Sequence, residues 1–355
     1  MCGSVLRRLA ARAACAVFRE EIQQGCSELQ YAVGRPAGCE HIHKAVAALS
    51  CCMPEAVVLK FDCANAFNTM PRQRILDAIQ DRAPGLLPVA GSWLCQTTEH
   101  LFWGDGARSL PLRASVGVDQ GCPLSPALFA LGLAGTLSNI QEELEQLSAY
   151  SRVFSYLDDV MVVVPAGIAE RAVGVVTGRL SSAGLSVNAA KTEAWKPDPA
   201  TRLPASLQAL QVARCTVLGS TAPWLDQEGD FSTLGVHSHA EGNKVVDSAR
   251  AFSAKLRELV AGGLGTRTAF LLLQAYSQGH VAHLLRANYE DSDWPKRFDD
   301  VILEALERLV ERPLDQGQRA QAFLKLSEGG LGLCSAQGSA AVSYTHLTLP
   351  TILLV

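Results

Sequence analysis

The chain has 355 residues, 48% hydrophobic and 19% charged, a composition that fits one large core with an appended domain and excludes an intrinsically disordered protein. Its net charge of −4 gives no overall attraction to nucleic acid, so such binding requires local patches or a metal ion at an acidic site. Eleven cysteines without a Cys-x-x-Cys pair indicate reduced thiols of an intracellular protein, with neither a disulfide framework nor a zinc site. Because no apolar run reaches about 18 residues and the N-terminus lacks a signal-peptide pattern, we expect neither a membrane span nor secretion.

In the first part of the chain, helical and strand periods alternate. A helical repeat with arginines on one face opens it, and the β-branched run at residues 56–62 predicts a strand that ends at Asp62. Pro71 suits the first turn of the next helix. We expect helices over residues 5–24, 40–50, 71–81, 86–97 and 127–147, and a hairpin over residues 100–115.

A Gly/Pro-dense stretch, residues 116–126, opens into the long helix. A glycine there would let the backbone approach a ligand closely. The stretch taken alone is better explained by an ordinary loop before a helix.

Two adjacent carboxylates, Asp158 and Asp159, interrupt an apolar run at residues 154–164 that predicts a buried hairpin. Burying two like charges side by side is costly unless a cation or a proton offsets them. A solvated two-residue turn is the alternative, because acidic residues are common in hairpin loops. Asp62, at the end of another strand, favours a metal site, since strand pairing could bring it beside Asp158.

Beyond the hairpin the chain completes the sheet, and its character changes after residue 219. A helix over residues 167–183 and a strand, turn and strand over 184–195 complete an α+β sheet with helices on one face. Residues 222–240 are polar, Gly-rich and aperiodic, so we expect a domain boundary there. Beyond it the periodicity is helical, over residues 243–260, 267–285, 296–311 and 318–326.

These pieces, in this order, resemble the reverse transcriptase family, in particular the polymerases of non-LTR retrotransposons. The resemblance covers about residues 5–220. It rests on Phe61-Asp62 with Phe67 five residues later, Gln120-Gly-Cys-Pro-Leu-Ser-Pro126, Tyr156-Leu-Asp-Asp159, Gly184-Leu with Asn188 and Lys191, and Val217-Leu-Gly219.

The resemblance implies an RNA-directed DNA polymerase that extends a DNA primer on an RNA template with deoxynucleoside triphosphates. It implies a right-handed palm with partial fingers over residues 1–222, a linker over 223–240 and a mainly helical thumb-like region over 241–335. It also implies two Mg²⁺ ions, with Mn²⁺ as a substitute, and a nuclear or cytoplasmic location. The oligomeric state is left open.

Residue roles follow from the same resemblance. Asp62 and Asp158 match the metal ligands, assisted by the Phe61 carbonyl and Asp159. In-line phosphoryl transfer needs such an arrangement, because two hard cations stabilise both the attacking and the leaving oxygen.

The other matched residues face the substrate. Phe67 matches the steric gate that excludes a ribose 2′-hydroxyl, although a core phenylalanine is the alternative. Lys191 matches a lysine that protonates the leaving pyrophosphate, although a surface lysine is equally compatible. Gln120, Gly121 and Tyr156 match positions against the incoming nucleotide and template.

Two other functions stay open at this point. A decayed or domesticated relative would keep the fold as a nucleic-acid-binding module; the intact acidic residues disfavour it and the net charge favours it. An RNA-templated RNA polymerase with a similar palm is disfavoured by Phe67, because that enzyme must admit a 2′-hydroxyl.

Both ends of the chain depart from the family pattern. The strand and basic fingers residues expected before the first helix are missing, and residues 342–351 resemble a translated sequencing-library adapter. We therefore expect a fragment truncated at both ends, with residues 336–355 forming a non-native or disordered tail.

Overall fold

The computed structural model describes residues 5–53, 55–103, 109–198, 200–212, 214–216, 224–226, 234–279, 281, 285 and 293–340. The chain divides into two compact units. The first comprises Met1–Ile42 and Leu49–Cys215, and the second comprises His43–Ala48 and Thr216–Val355.

The first unit mixes helices and strands, as the sequence predicts. Its helices are α1 (Val5–Val17), α2 (Arg19–Gly25), most of α3 (Gly38–Cys52), α4 (Ala66–Thr69), α5 (Arg72–Arg82), α6 (Leu87–Leu94), α7 (Ser125–Leu147) and α8 (Ala169–Ser182). Its strands are β1 (Ala56–Phe61), β2 (Thr98–Trp103), β3 (Ser109–Ala114), β4 (Arg152–Tyr156), β5 (Asp159–Pro165) and β6 (Glu193–Trp195).

The site-bearing sheet has the strand order β4-β5-β1-β6, and every neighbouring pair is antiparallel. Strand β1 lies between β5 and β6, with Phe61 opposite Val160 and Val58 opposite Trp195. Its residues are buried on both faces except for Lys60. This explains why β1 reads as a continuous apolar run, since a strand covered on both sides needs apolar residues at successive positions.

Helix α7 supplies much of the core beside this sheet and packs against α5 and α8. Its buried side chains recur around most of its circumference, from Ala127 to Leu144, as expected for a helix enclosed by neighbours. The core around the sheet is therefore continuous with the helices that precede and follow it in the chain.

The second unit has its own core. It contains β8 (Trp224–Asp226), α9 (Leu234–Ala261), α10 (Thr266–Gly279), α11 (Trp294–Leu309) and α12 (Gln316–Ala322), and β7 (Arg214–Thr216) lies at the chain boundary between the units. Helix α11 packs against α9 and α10, and Trp294, Phe298 and Ile302 are fully buried. Phe252 and Tyr276 stack with ring centroids 4.0 Å apart.

The structure differs from the expected element bounds at several points. The helix expected over residues 5–24 is two helices, because the backbone leaves helical geometry at Phe18. The first strand expected in 184–195 is only an isolated bridge between Cys63 and Val187, followed by a 3₁₀ turn at Ala189–Lys191.

The expected domain limits also differ. Helix α9 begins inside the expected linker, at Leu234. Residues 336–340, which we assigned to a disordered tail, are helical, and Ala336 and Ala340 are buried in the second core. The adapter-like residues 342–351 and the Val217-Leu-Gly219 motif lie outside the described residues.

In the described part of the chain, no helix combines the length and the apolar character that crossing a bilayer requires.

Candidate active site

The hairpin between β4 and β5 carries the two adjacent carboxylates. Tyr156 pairs with Asp159, so Leu157 and Asp158 form a two-residue turn. Leu157 has a φ of 57°, in the left-handed region that a leucine rarely adopts. The strained residue directly precedes Asp158, so the backbone conformation of Leu157 sets the direction of the Asp158 side chain.

Asp62 reaches the same edge of the sheet from β1. Phe61 lies opposite Val160, and continuing that register by one residue places Asp62 opposite Asp159. The turn, the start of β5 and the end of β1 therefore converge. The sequence-predicted carboxylates Asp62, Asp158 and Asp159 lie at one end of neighbouring strands.

The electrostatics show that these carboxylates influence one another. Burial raises the pKa of Asp158, and Asp62 raises it further, whereas a backbone hydrogen bond and Lys191 lower it. Burial also raises the pKa of Asp159, followed by the charge of Asp158. The pKa of Cys63 is raised to about 12, by burial first and then by the three carboxylates, so its thiol stays protonated. The edge of the sheet carries an excess of negative charge.

Lys191 partly balances that charge. Its Nζ lies 3.4 Å from Asp62 Oδ2, and its side chain is 65% exposed. Asn188 fixes the turn before it: its backbone N–H donates to the Asp62 carbonyl at 2.8 Å, and its side-chain oxygen accepts from the Ala190 N–H at 3.2 Å. The segment that bears Lys191 is thus attached to the residue with which Lys191 pairs.

The donor set at this edge is chemically suited to a divalent cation. Carboxylate and carbonyl oxygens are the hard ligands that Mg²⁺ and Mn²⁺ prefer, and excess negative charge in a half-buried place favours a cation. Within the described residues, however, no group of three or more His, Cys, Asp or Glu side chains is close enough to hold a metal ion together. The carboxylates converge, but the structure does not gather all three around one point.

The loop with Gln120 and Gly121 is joined to the segment that follows Asp62. Val118 N–H donates to the Phe67 carbonyl at 2.7 Å, and Gly117 N–H to the Met70 carbonyl at 3.0 Å. Gly117 has a φ of +72°, and a Cβ there would collide with the Asn68 backbone, so only glycine allows this approach.

The side chains of this loop and segment have different exposures. Gln120 and Gly121 are exposed. The ring of Phe67 is half-buried and stacks on Phe129 with centroids 4.6 Å apart. Phe67 therefore contacts the core on one face, which leaves part of its surface open at the loop.

Tyr156 lies at the end of β4 beside helix α3. Burial raises its pKa to about 12, and a hydrogen bond with Cys39 adds to the shift. Its hydroxyl is therefore a neutral hydrogen-bonding group next to the carboxylates.

Sequence reasoning missed Gln30, whose side chain is 1% exposed. Its Oε1 accepts from Leu157 N–H at 2.8 Å and from Ala32 N–H at 3.1 Å. Its Nε2 donates to Ser155 Oγ at 3.1 Å and to the Leu157 carbonyl at 3.4 Å. A single glutamine in a Gly/Pro-rich loop gives no sequence signal for this position.

Sequence reasoning also missed Arg72, a buried arginine behind the Gln120 loop. Its guanidinium donates to the carbonyls of Gly117 and Gln96, at 2.9 and 2.6 Å. It thereby fixes the start of the loop, and only its position at the first turn of α5 was visible in the sequence.

Residues 11–237, more than half of the chain, match the family described as reverse transcriptase (RNA-dependent DNA polymerase). The retrotransposable element SLACS 132 kDa protein of Trypanosoma brucei gambiense is 25% identical over 338 residues, which is 93% of this chain and 26% of that protein. The chain thus spans about a quarter of the length of this relative.

Two telomerase structures are similar in fold at a low level. That of Candida albicans with a fragment of telomeric RNA has a TM-score of 0.45 and 11% identity, covering 86% of this chain and 54% of that one. That of apo telomerase from Candida tropicalis has a TM-score of 0.47 and 12% identity, covering 89% and 52%. The sequence prediction of the family is confirmed by the family match and the retrotransposon relative, and the chain belongs to the reverse transcriptase family.

Proposed function

We propose that this chain carries the catalytic centre of an RNA-directed DNA polymerase of a retrotransposon. The observation that supports the proposal most is the convergence of Asp62, Asp158 and Asp159 at one end of neighbouring strands, where burial raises the pKa of two of them. Structural packing gives no reason to place three acidic residues there. A phosphoryl-transfer site does, because it must hold cations beside a polyanionic substrate.

In this proposal the first unit acts as the palm with part of the fingers, and the second unit as a helical thumb. The partners are an RNA template, a DNA primer and deoxynucleoside triphosphates. We place the protein inside the cell, in the nucleus or the cytoplasm, which the free thiols of Cys26 and Cys63 support.

Asp62 and Asp158 would hold two Mg²⁺ ions, or Mn²⁺, with help from Asp159 and the Phe61 carbonyl. Bound there, the ions would stabilise the oxygens that attack and leave during transfer of the nucleotidyl group. A cation binds the deprotonated carboxylates, so the raised pKa values of Asp158 and Asp159 predict weaker cation binding as the pH falls.

The remaining residues of the site act on substrate. Lys191, exposed and paired with Asp62, has the reach to give a proton to the leaving pyrophosphate. Phe67 presents the face that does not stack on Phe129 to the sugar of the nucleotide. Gln120 and Gly121 form an exposed turn that contacts the nucleotide and template. Tyr156 offers a neutral hydroxyl as a hydrogen-bonding group.

A nucleic-acid-binding module without catalysis is the second candidate. It is favoured by the ion pair between Lys191 and Asp62, which supplies a cation from the protein itself. It is also favoured because, within the described residues, no three His, Cys, Asp or Glu side chains are grouped closely enough to hold a metal ion. A binding module of this kind predicts that affinity for the template does not depend on divalent cations.

Asp158→Asn separates the two candidates. In the intact protein, this change should lower metal-dependent primer extension by about 10³-fold or more, because charge is lost where the transition state needs it. Affinity for the template-primer duplex should stay near that of wild type, since the cleft is unchanged. Lys255→Met, at an exposed position of α9, serves as a charge-changing control. Extension by Asp158→Asn at the wild-type rate would rule out the polymerase assignment of this residue.

A further inference from the structure

The turn that carries Asp158 needs an external support. A leucine in the left-handed region costs about 1–2 kcal/mol relative to ordinary backbone. The structure places Leu157 in that region. The conformation persists only if surrounding contacts specify it.

Gln30 makes those contacts. Its amide forms hydrogen bonds with both backbone groups of Leu157, accepting from the N–H at 2.8 Å and donating to the carbonyl at 3.4 Å. Ser155 Oγ adds to this network, since it accepts from Gln30 Nε2 and donates to the same Leu157 carbonyl at 3.0 Å. The two peptide units that flank Leu157 thus make three side-chain hydrogen bonds, one through the N–H and two through the carbonyl.

The segment that carries Gln30 is itself hydrogen-bonded to β4. Gln30 is attached to β4 through backbone bonds on either side of it, from Tyr31 N–H to the Ser155 carbonyl and from Ser155 N–H to the Leu29 carbonyl, both 2.8 Å. With the Ala32 N–H also bonded to Oε1, both acceptor positions and both donor hydrogens of the amide are used. A side chain that only filled space would not need this match.

We infer that Gln30 is a positioning residue that shapes the Leu157-Asp158 turn so that Asp158 can bind a divalent cation. The inference deepens the proposed function and rests on it. Gln30 touches neither substrate nor cation; it acts by fixing the backbone that aims the Asp158 carboxylate. Groups that orient metal ligands typically change metal affinity or activity by 10–100-fold when removed.

Gln30→Met tests this, because methionine has a similar length and no amide. The control is Gln23→Met, since Gln23 also donates from Nε2 to a backbone carbonyl, that of Gly34 at 3.0 Å, but at an exposed position away from the hairpin. The probe is Mn²⁺ alone, titrated calorimetrically into the intact protein without substrate. Gln30→Met should weaken Mn²⁺ binding about tenfold, and Gln23→Met should leave it unchanged.

A second measurement monitors the backbone of the turn directly. Hydrogen exchange of the Leu157 amide should become at least about tenfold faster in Gln30→Met, whereas exchange within β1 should not change. If Gln30→Met does not fold, Ser155→Ala decides, because it removes the two hydrogen bonds of Ser155 Oγ and retains the bond from Leu157 N–H to Gln30 Oε1. Ser155→Ala should weaken Mn²⁺ binding by about two- to threefold and speed exchange at Leu157.

The outcomes are distinct. Wild-type Mn²⁺ affinity and wild-type Leu157 exchange in a folded Gln30→Met, or in Ser155→Ala when Gln30→Met does not fold, overturn the positioning role. A wild-type protein that binds no Mn²⁺ also overturns it. If the wild type binds Mn²⁺ and Gln30→Met weakens that binding, yet neither protein extends a primer, the positioning role stands and the polymerase proposal fails.

Discussion

Lys191 Nζ lies 3.4 Å from Asp62 Oδ2, so the protein's own chain places a positive charge beside this carboxylate. The Lys191 side chain is 65% exposed and that of Asp62 is 28% exposed, so solvent screens the pair and it should contribute little to folding stability. In the proposed function, Lys191 serves both Asp62 and a substrate phosphate.

The first prediction concerns Lys191. If its ammonium gives a proton to the leaving pyrophosphate, Lys191→Met should slow single-turnover extension at saturating metal by about 10²-fold or more. Thermal stability should change little, because the ammonium of Lys191 is largely solvated. Rapid-quench kinetics measure the rate, with Lys255→Met as the charge-matched control. An unaltered rate would mean that Lys191 is an ordinary surface lysine.

The second prediction separates the gate role of Phe67 from its packing role. Phe67→Val should reduce discrimination against ribonucleotides by about 10–100-fold, since the removed ring opens space for a 2′-hydroxyl. Phe129→Leu is the matched control, because Phe129 is the buried partner in the same ring stack. It should lower stability by about 1–3 kcal/mol without changing discrimination. Incorporation of a ribonucleotide in competition with the corresponding deoxyribonucleotide measures the discrimination of both variants. Equal loss of discrimination in the two variants would show that Phe67 is a core residue only.

The third prediction uses the raised pKa of Asp158. An acid whose pKa is raised by folding keeps its proton in the folded state at pH values where the unfolded chain has lost it. Its contribution to stability is therefore present below the ordinary carboxyl pKa and is lost as the pH rises through the raised value. Without metal, Asp158→Asn should gain in stability relative to wild type over the range from about pH 4 upward, until the pH passes the raised pKa. Thermal melts in a chelator test this; a constant difference between the two proteins across that range contradicts it.

Primer extension should show the opposite dependence, because cation binding requires the deprotonated carboxylates. Its metal-dependent rate should rise as the pH passes through the raised pKa of Asp158 and Asp159. Higher Mg²⁺ should move that rise to lower pH, which a series of rate profiles at two Mg²⁺ concentrations detects.

The fourth prediction concerns the end of the second unit. The carboxylate of Asp299 accepts from Ser335 Oγ at 2.6 Å and from the Ala336 and Gln337 N–H groups at 2.7 and 3.2 Å. Removing residues 335–355 should therefore lower the free energy of unfolding by about 2 kcal/mol or more. Removing only residues 342–355 should leave it unchanged. Urea unfolding of both truncations gives the comparison, and a large loss from the shorter deletion would show that the adapter-like segment packs natively.

Much of the site could be predicted from sequence because strand periodicity and charge are local. The apolar run ending at Asp62 and the interrupted run at Asp158 each predicted a strand end, and pairing of the two strands follows from burial of both. The mixed helix and strand content was visible for the same reason.

What could not be predicted depends on contacts distant in sequence. Gln30 reaches Leu157 across 127 residues, and no local pattern marks a glutamine whose partners are backbone groups of another segment. The helicity of residues 336–340 was missed similarly, because Asp299 in α11 holds the start of that turn. The break at Phe18 lies inside an unbroken helical period, so amphipathic spacing alone did not reveal it.

The central position of β1 makes correct assembly of the sheet inseparable from formation of the site. Side chains alternate along a strand, so a slip of one residue against β5 would turn Asp62 away from the hairpin and exchange the positions of Lys60 and Phe61. Phe61 is fully buried and Lys60 pairs with Glu193 across β6, so such a slip would place a charge in the core. The slip that would move Asp62 away from the hairpin would therefore also destabilise the sheet. Correct folding of the sheet and correct placement of Asp62 beside Asp158 and Asp159 depend on the same register.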